Sequence, residues 1–273
     1  MTGRFEPGEK ALLLDRKGRR YLVTLMEGGS FHSHTGVVDH ACLIGADEGV
    51  TVRSTSGAAY VAVRPTLSDF VLKMPRGAQV IYPKDLAHIV VMADIHPGVR
   101  VLEAGVGSGA LSMALLRAGA EVIGYEIRPD FASRAAANVA AFLGQEAAGR
   151  YRVEERDVYD GIAETDLDRV VLDLPEPWRV VPHAATAMRL GGILLSYLPT
   201  IGQTAELRAA LEEGGCFAMA ETVEVLVRTW HIEGRSVRPD HRMVAHTGFL
   251  SAARLVQRPG DEAEGRETAA EDA

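Results

Sequence analysis

Val101-Leu102-Glu103-Ala104-Gly105-Val106-Gly107-Ser108-Gly109 runs an apolar segment into three alternating glycines. The residues that follow, up to about 118, read as a helix. Glycine lets the backbone turn tightly and approach a ligand that a Cβ would repel. Loops that cradle a dinucleotide pyrophosphate space their glycines G-x-G-x-x-G. Here the spacing is E-x-G-x-G-x-G, the pattern of loops that pass the methionine and ribose of S-adenosylmethionine (SAM). A strand–glycine loop–helix unit of this kind belongs to a doubly wound α/β sheet, whose ligand lies at the carboxyl ends of the strands.

The downstream sequence repeats that rhythm. Glu126 closes the next apolar run, 21 residues after Gly105. An acid at about that distance is placed to accept from both ribose hydroxyls. Asp157 and Val158 close a third strand, where an acid can accept from an adenine amino group and an apolar neighbour can cover the ring. Leu172-Asp173-Leu174-Pro175-Glu176-Pro177-Trp178 follows a fourth, and its two prolines fix the loop carrying Asp173 and Trp178. This loop resembles the Asp-Pro-Pro-aromatic loop of methyltransferases acting on base nitrogens, with Leu174 and Glu176 as departures.

Periodicity predicts strands at 99–103, 121–126, 151–156, 169–173, 193–198, 223–230 and 249–256. Helices are predicted at 83–95, 108–118, 129–143, 181–189 and 203–213. The first 65 residues read differently, as short β-rich stretches at 10–15, 19–25, 36–43, 50–54 and 59–63 separated by glycine turns. That pattern predicts a small barrel or sandwich. Thr66 and Asp69 are spaced as a capping box for a short helix. The expected organisation is a β domain over 1–65, a linker helix and loop over 66–78, an α/β domain over 79–256 and a disordered acidic tail over 257–273.

The chain has 273 residues, 47% hydrophobic and 24% charged, with a net charge of −8. These values exclude a disordered, collagenous or coiled-coil chain. No apolar run reaches a bilayer's thickness and no secretory leader opens the sequence, so a cytoplasmic protein without membrane association is expected. Cys42 and Cys216 form no motif and are expected as reduced thiols. His32 and His34 sit two apart on one predicted strand, but no carboxylate or cysteine completes a metal set, and no metal is expected. Residues 1–76 are net +2, residues 77–256 net −6 and residues 257–273 net −4. Local basic clusters such as Arg16-Lys17-Gly18-Arg19-Arg20 therefore bear on nucleic-acid binding more than the total does.

Three further stretches carry a family resemblance: Met74-Pro75-Arg76-Gly77-Ala78-Gln79-Val80-Ile81-Tyr82-Pro83-Lys84-Asp85, the loop at 173–178, and Val237-Arg238-Pro239-Asp240-His241-Arg242-Met243-Val244-Ala245-His246-Thr247-Gly248-Phe249-Leu250. With them the chain resembles, from about residue 5 to 256, the bacterial and archaeal tRNA (adenine-N1)-methyltransferases that modify adenine 58 in the T-loop. The resemblance implies a class I SAM-dependent methyltransferase domain with a mostly parallel seven-stranded sheet, a small N-terminal β domain and a cytoplasmic homotetramer. It implies tRNA as partner and no obligatory second protein. It places the loop of Gly105, Val106, Gly107 and Ser108 at the methionine end of SAM, Glu126 at the ribose, and Asp157 with Val158 at the adenine, with Glu103 and Gly109 also binding the cofactor. Phe131 and Ile81 would also lie near the cofactor. Gln79, Tyr82, Trp178, Arg238 and His246 would face the acceptor, with Tyr82 or Trp178 stacking on the extruded base. Asp173 would sit between cofactor and substrate and, with Tyr82, serve catalysis. Val106 departs from the small residue common at its position. Three other classes compete: a methyltransferase of another RNA or a small molecule, a non-catalytic RNA-binding subunit and an NAD-dependent oxidoreductase. The glycine spacing argues against the last, and retention of the glycine loop and Asp173 against the second.

Overall fold

The computed structural model describes residues 3–77 and 79–260. They form two compact units, one up to Pro75 and one from Arg76 onward.

In the first unit, β1 (Lys10–Asp15), β2 (Arg20–Thr24), β5 (Thr51–Arg53) and β6 (Ala59–Val63) pair in the order β2-β1-β6-β5, all antiparallel. A separate hairpin joins β3 (Ser30–Ser33) to β4 (Gly36–Asp39). Phe5, Leu13, Leu25, Val38, Leu43 and Tyr60 fill the core. The strand expected over 36–43 stops at Asp39, and a 3-10 turn takes His40–Cys42. There the buried His40 ring accepts the Met26 amide through Nδ1 at 3.1 Å. His32 and His34 do not share a strand. His34 lies in the turn beside Arg19, and His32 pairs with Ser30. Helix α1 (Leu67–Lys73) carries the expected capping box, with Asp69 N donating to Thr66 Oγ1 and Thr66 N to Asp69 Oδ2.

The second unit is the doubly wound sheet. In chain order it runs α2 (Pro83–Met92), β7 (Arg100–Ala104), α3 (Ala110–Arg117), β8 (Glu121–Glu126), α4 (Pro129–Ala148), β9 (Tyr151–Glu155), β10 (Leu167–Leu172), α5 (Val181–Ala187), β11 (Met188–Leu198), α6 (Ile201–Glu213), β12 (Phe217–Glu224), β13 (Trp230–Glu233), β14 (Ser236–Pro239) and β15 (Phe249–Leu255). The seven-stranded sheet has the order β12-β15-β11-β10-β7-β8-β9. Strands β7 to β11 are mutually parallel and β15 is antiparallel to both neighbours. Central strands covered on both faces read as near-continuous apolar runs. Leu102, Val170, Leu172 and Leu194 are accordingly buried. The strand order reverses between β7 and β10. That switch point brings the loop after β7 and the loop after β10 to one crevice.

Three boundaries differ from expectation for identifiable reasons. The strand expected over 223–230 is instead β12, which ends at Glu224 because its partner β15 begins opposite at Phe249. The apolar run beyond has no ladder to join, and Trp230 starts the β13–β14 hairpin. Helix α2 stops at Met92, and Asp94 takes a left-handed φ of 49°. Helix α4 continues past 143 across a break at Gly144. The start of the expected tail is anchored: Val256 N and Gln257 N donate to the Cys216 carbonyl, and Arg258 donates to the Met188 carbonyl at 3.1 Å. The rest of that tail, 261–273, lies outside the described residues.

Candidate active site

The glycine loop is shaped by what lies over it. Gly105 has φ +84°, and a Cβ built there would stand 2.1 Å from the Asp173 carbonyl oxygen. The backbones after β7 and β10 therefore touch only because residue 105 is glycine. Asp173 N donates to the Ala104 carbonyl at 2.9 Å, extending the ladder by one bond. Gly109 closes against Ala135 of α4, whose Cα would be 3.2 Å from a Cβ. Val106 turns away from the crevice into the space left by Gly124 of β8, where any side chain would meet Val106 Cγ2. That accounts for a valine where small residues are expected.

Glu126 ends β8 and is buried. Its Oε2 accepts the Gly107 amide at 2.9 Å and its Oε1 the Arg128 amide at 3.0 Å. The carboxylate thus organises the loop, and its remaining lone pairs point to a donor-rich ligand such as a diol. Asp157 caps the short turn that follows β9, accepting the Tyr159 amide at 2.9 Å. Val158 is packed in the core beside Leu102, Ala104 and Leu172. Phe131, at the start of α4, carries the Arg128 guanidinium 3.9 Å above its ring. Gly77 passes its edge, where a Cβ would be 3.0 Å from Cε1. Ile81 is buried, Gln79 exposed and Tyr82 half-buried as the N-cap residue of α2.

The electrostatics are one-sided. Glu103 is fully buried at the end of β7. Its Oε2 accepts the Ser112 hydroxyl, which also bonds the Tyr151 hydroxyl, while among the described residues Oε1 has no hydrogen-bond partner, nor does the buried Ser108 hydroxyl. Burial, and then the charges of Asp173 and Glu126, push the Glu103 carboxyl up to about 8. Desolvation, and then Glu126, push Asp173 up to about 7. Three carboxyl groups converging on one loop favour a cationic ligand, and two unsatisfied buried oxygens mark where its donors fit.

Not every expected residue is brought to this crevice. Trp178 lies in the 3-10 turn after the Asp173 loop and lines a different, apolar cleft with Val181, Ala185 and Phe217. Stacking on a base at Asp173 is therefore not its place. Arg238 sits on β14 opposite His231, with its guanidinium near the Pro239 carbonyl. His246 is held at the edge of the sheet. Its Nδ1 lies 2.7 Å from Glu224 Oε1 and its Nε2 2.8 Å from the Pro199 carbonyl. Two acceptors require two N–H donors, so this geometry favours the imidazolium and raises the ring's pKa.

Tyr197 was invisible to motif reading. It ends β11 half-buried, donates to the Thr247 carbonyl, and is raised to about 12 by burial and by Asp85, with Asp173 and Tyr82 also within electrostatic reach. Its only sequence signal was its place at the carboxyl end of a strand adjacent to β10.

Known proteins fix the family. A family model described as tRNA methyltransferase complex GCD14 subunit matches residues 57–246, and one described as TrmI-like N-terminal matches residues 3–52. The chain belongs to the tRNA (adenine-N1)-methyltransferase family. Among relatives of this methyltransferase, the tRNA (adenine(58)-N(1))-methyltransferase TrmI of Thermus thermophilus is 43% identical over 89% of the chain and 95% of its own length. The tRNA (adenine(57)-N(1)/adenine(58)-N(1))-methyltransferase TrmI of Methanocaldococcus jannaschii is 36% identical over 94% and 98%. The crystal structure of tRNA (m1A58) methyltransferase TrmI from Aquifex aeolicus superposes with a TM-score of 0.81 at 28% identity, covering 93% of this chain and 99% of that one. A SAM-dependent O-methyltransferase from Thermotoga maritima gives 0.88 at 32% identity over 94% and 96%. The fold is that of the SAM-dependent methyltransferases.

Proposed function

We propose that this chain transfers the methyl group of SAM to N1 of adenine 58 in tRNA. The observation that carries the reading is the contact between the glycine loop and the Asp173 backbone at the sheet's switch point. It sets a buried carboxyl directly beside the cofactor loop. SAM supplies the methyl group as an electrophile on a sulfonium. The carboxyls of Glu103, Glu126 and Asp173 suit its positive charge. Glu126 holds the ribose hydroxyls, Asp157 the adenine amino group, and Ser108 with Glu103 the methionine end.

N1 of neutral adenine has a lone pair and no proton, so no strong base is needed. The product ring is cationic. Asp173 accepts a hydrogen bond from the N6 amino group and offsets the charge that develops on the ring. Extruding the base exposes a face that Tyr82, at the start of α2, covers by stacking. Incubating the protein with labelled SAM and unmodified tRNA, then mapping the labelled base, tests this directly. Label at adenine 58 is expected. Label confined to another RNA or to a small acceptor would overturn the assignment.

Glu126→Ala removes charge-assisted hydrogen bonds to the ribose and the acceptor of the Gly107 amide. SAM binding weakens by about 2–3 kcal/mol, roughly 30- to 150-fold in Kd. Calorimetry reads it, and an unchanged Kd would reject the ribose role.

In the proposed cytoplasmic homotetramer, tRNA meets local basic clusters despite the acidic total. Arg16 and Lys17 lie at the β1–β2 turn, while Arg19 is already paired with Asp15 at 2.6 Å. Affinity for tRNA falls with added salt on a linear log–log plot whose slope counts the phosphates neutralised. Binding insensitive to salt would contradict this picture. Trp230, Ile232 and Val237 leave the β13–β14 hairpin with an exposed apolar surface suited to self-association. No helix among the described residues is long and apolar enough to cross a membrane.

A further inference from the structure

A closed polar cluster ties the first turn of α2 to the segment entering β15. Lys84 Nζ donates to Asp85 Oδ1 at 2.8 Å, to the Val225 carbonyl at 2.7 Å and to Thr247 Oγ1. Thr247 Oγ1 donates in turn to Asp85 Oδ2 at 2.7 Å. All three ammonium hydrogens and both carboxylate oxygens are thereby used. Asp85 is fully buried and the Lys84 side chain is 8% exposed. Lys84 and Asp85 are sequence neighbours, so their pairing alone joins nothing. Val225 and Thr247 make the cluster a clasp, 141 and 163 residues downstream of Lys84. A buried ion pair stabilises a fold little more than apolar residues of the same volume would, but it demands partners in set places.

Tyr82, proposed to stack on the acceptor base, and Tyr197, within electrostatic reach of Asp173, both adjoin the clasp. Tyr82 lies two residues before Lys84 as the cap of α2. His246 precedes Thr247 and is itself fixed between Glu224 and the Pro199 carbonyl. The Thr247 carbonyl accepts the Tyr197 hydroxyl. Gly248 lies against the Tyr197 ring so closely that a Cβ would stand 2.5 Å from Cε2.

We infer that Lys84, Asp85 and Thr247 are positioning residues for methyl transfer, locking Tyr82 and Tyr197 into a preformed acceptor pocket beside Asp173. The inference rests on the tRNA-methyltransferase reading above. None of the three touches the base; each acts through the residues it holds.

Thr247→Val keeps the volume and removes the bridging hydroxyl. At saturating SAM and tRNA its single-turnover rate is expected to fall about 10- to 100-fold, the scale on which misplacement by about an ångström acts. The Kd for SAM stays within two-fold, and kcat falls more than KM for tRNA rises. Thr247→Ser, which keeps the hydroxyl, restores the rate to within a few-fold of wild type. Lys84→Met/Asp85→Leu replaces the pair by apolar side chains, folds, and reproduces the loss. Hydrogen exchange of residues 240–248 in the free protein gives a readout independent of turnover, and is expected to rise in Thr247→Val. Wild-type rate and exchange in Thr247→Val, or failure of Thr247→Ser to rescue, overturns the positioning role. A wild-type protein that does not methylate tRNA overturns the functional reading instead, and the exchange measurement then decides the clasp alone.

Discussion

Replacing Asp173 with alanine is expected to lower methyl transfer about 10²–10³-fold, the usual consequence of losing one preorganised electrostatic partner. SAM and tRNA still bind under the proposed assignment, in which the ribose is held by Glu126 and not by Asp173. Asp173→Asn separates two contributions. Its side-chain carbonyl still accepts from N6 but has no charge to offset the cationic ring, so it falls between alanine and wild type in single-turnover experiments on saturated complexes. Equal inactivity of the two variants would place the effect in the charge. Wild-type rates in both would reduce Asp173 to a loop brace. The pH dependence gives a second reading. The Asp173 carboxyl is raised to about 7 by desolvation and by Glu126, so in the free protein it is partly protonated at neutral pH. The protonated form neither accepts from N6 as an anion nor attracts a cation. The kcat/KM for SAM, which reports the free enzyme, therefore rises with pH through about 7. A further rise near 8 belongs to Glu103. The carboxyls titrate as a coupled set, so in Asp173→Asn the limb near 7 is expected to vanish and the upper one to move down, because the Asp173 charge no longer raises Glu103.

The parts of this site that were legible in the sequence are those fixed by backbone geometry. Gly105 could be read because only glycine accepts both its φ and the approach of the Asp173 carbonyl. Glu126 and Asp173 could be read because a doubly wound sheet delivers strand ends to one crevice. The helix cap at Thr66 and Asp69 could be read because it is local. What could not be read depends on pairings that neighbouring residues do not encode. The run from Val223 to Val227 has strand periodicity throughout, yet β12 ends at Glu224 because β15 offers no partner beyond Phe249. Trp178 belonged to a recognisable loop, but the turn after Pro177 aims it into the cleft beside α5. The Lys84–Asp85–Thr247 clasp joins residues 162 or more positions apart across the chain. A Lys-Asp dipeptide carries no mark of burial, and only the fold shows that this one lies away from water.

Gly105→Ala is expected to damage the domain severely. At φ +84° an L-residue is strained by about 1–2 kcal/mol before any contact is counted. The added Cβ would then lie 2.1 Å from the Asp173 carbonyl oxygen and 3.0 Å from its carbon. Both are backbone atoms, so no rotamer change relieves the clash, and the strand end carrying Asp173 must move. Displacing a catalytic group by about an ångström reduces turnover on the order of 10²-fold even when the fold survives. The loss of stability and the loss of rate should therefore appear together, as a lower thermal midpoint and a slow single turnover. Gly107→Ala is the control. Its φ is also positive, at +56°, but nothing lies within 4 Å of the added atom. It pays only the backbone strain, loses less stability than Gly105→Ala, and keeps the amide that donates to Glu126. If Gly105→Ala kept wild-type stability and rate, the close contact between the two strand ends would have no part in shaping the site. If Gly107→Ala destabilised the domain as much as Gly105→Ala, left-handed strain rather than the contact with Asp173 would explain both.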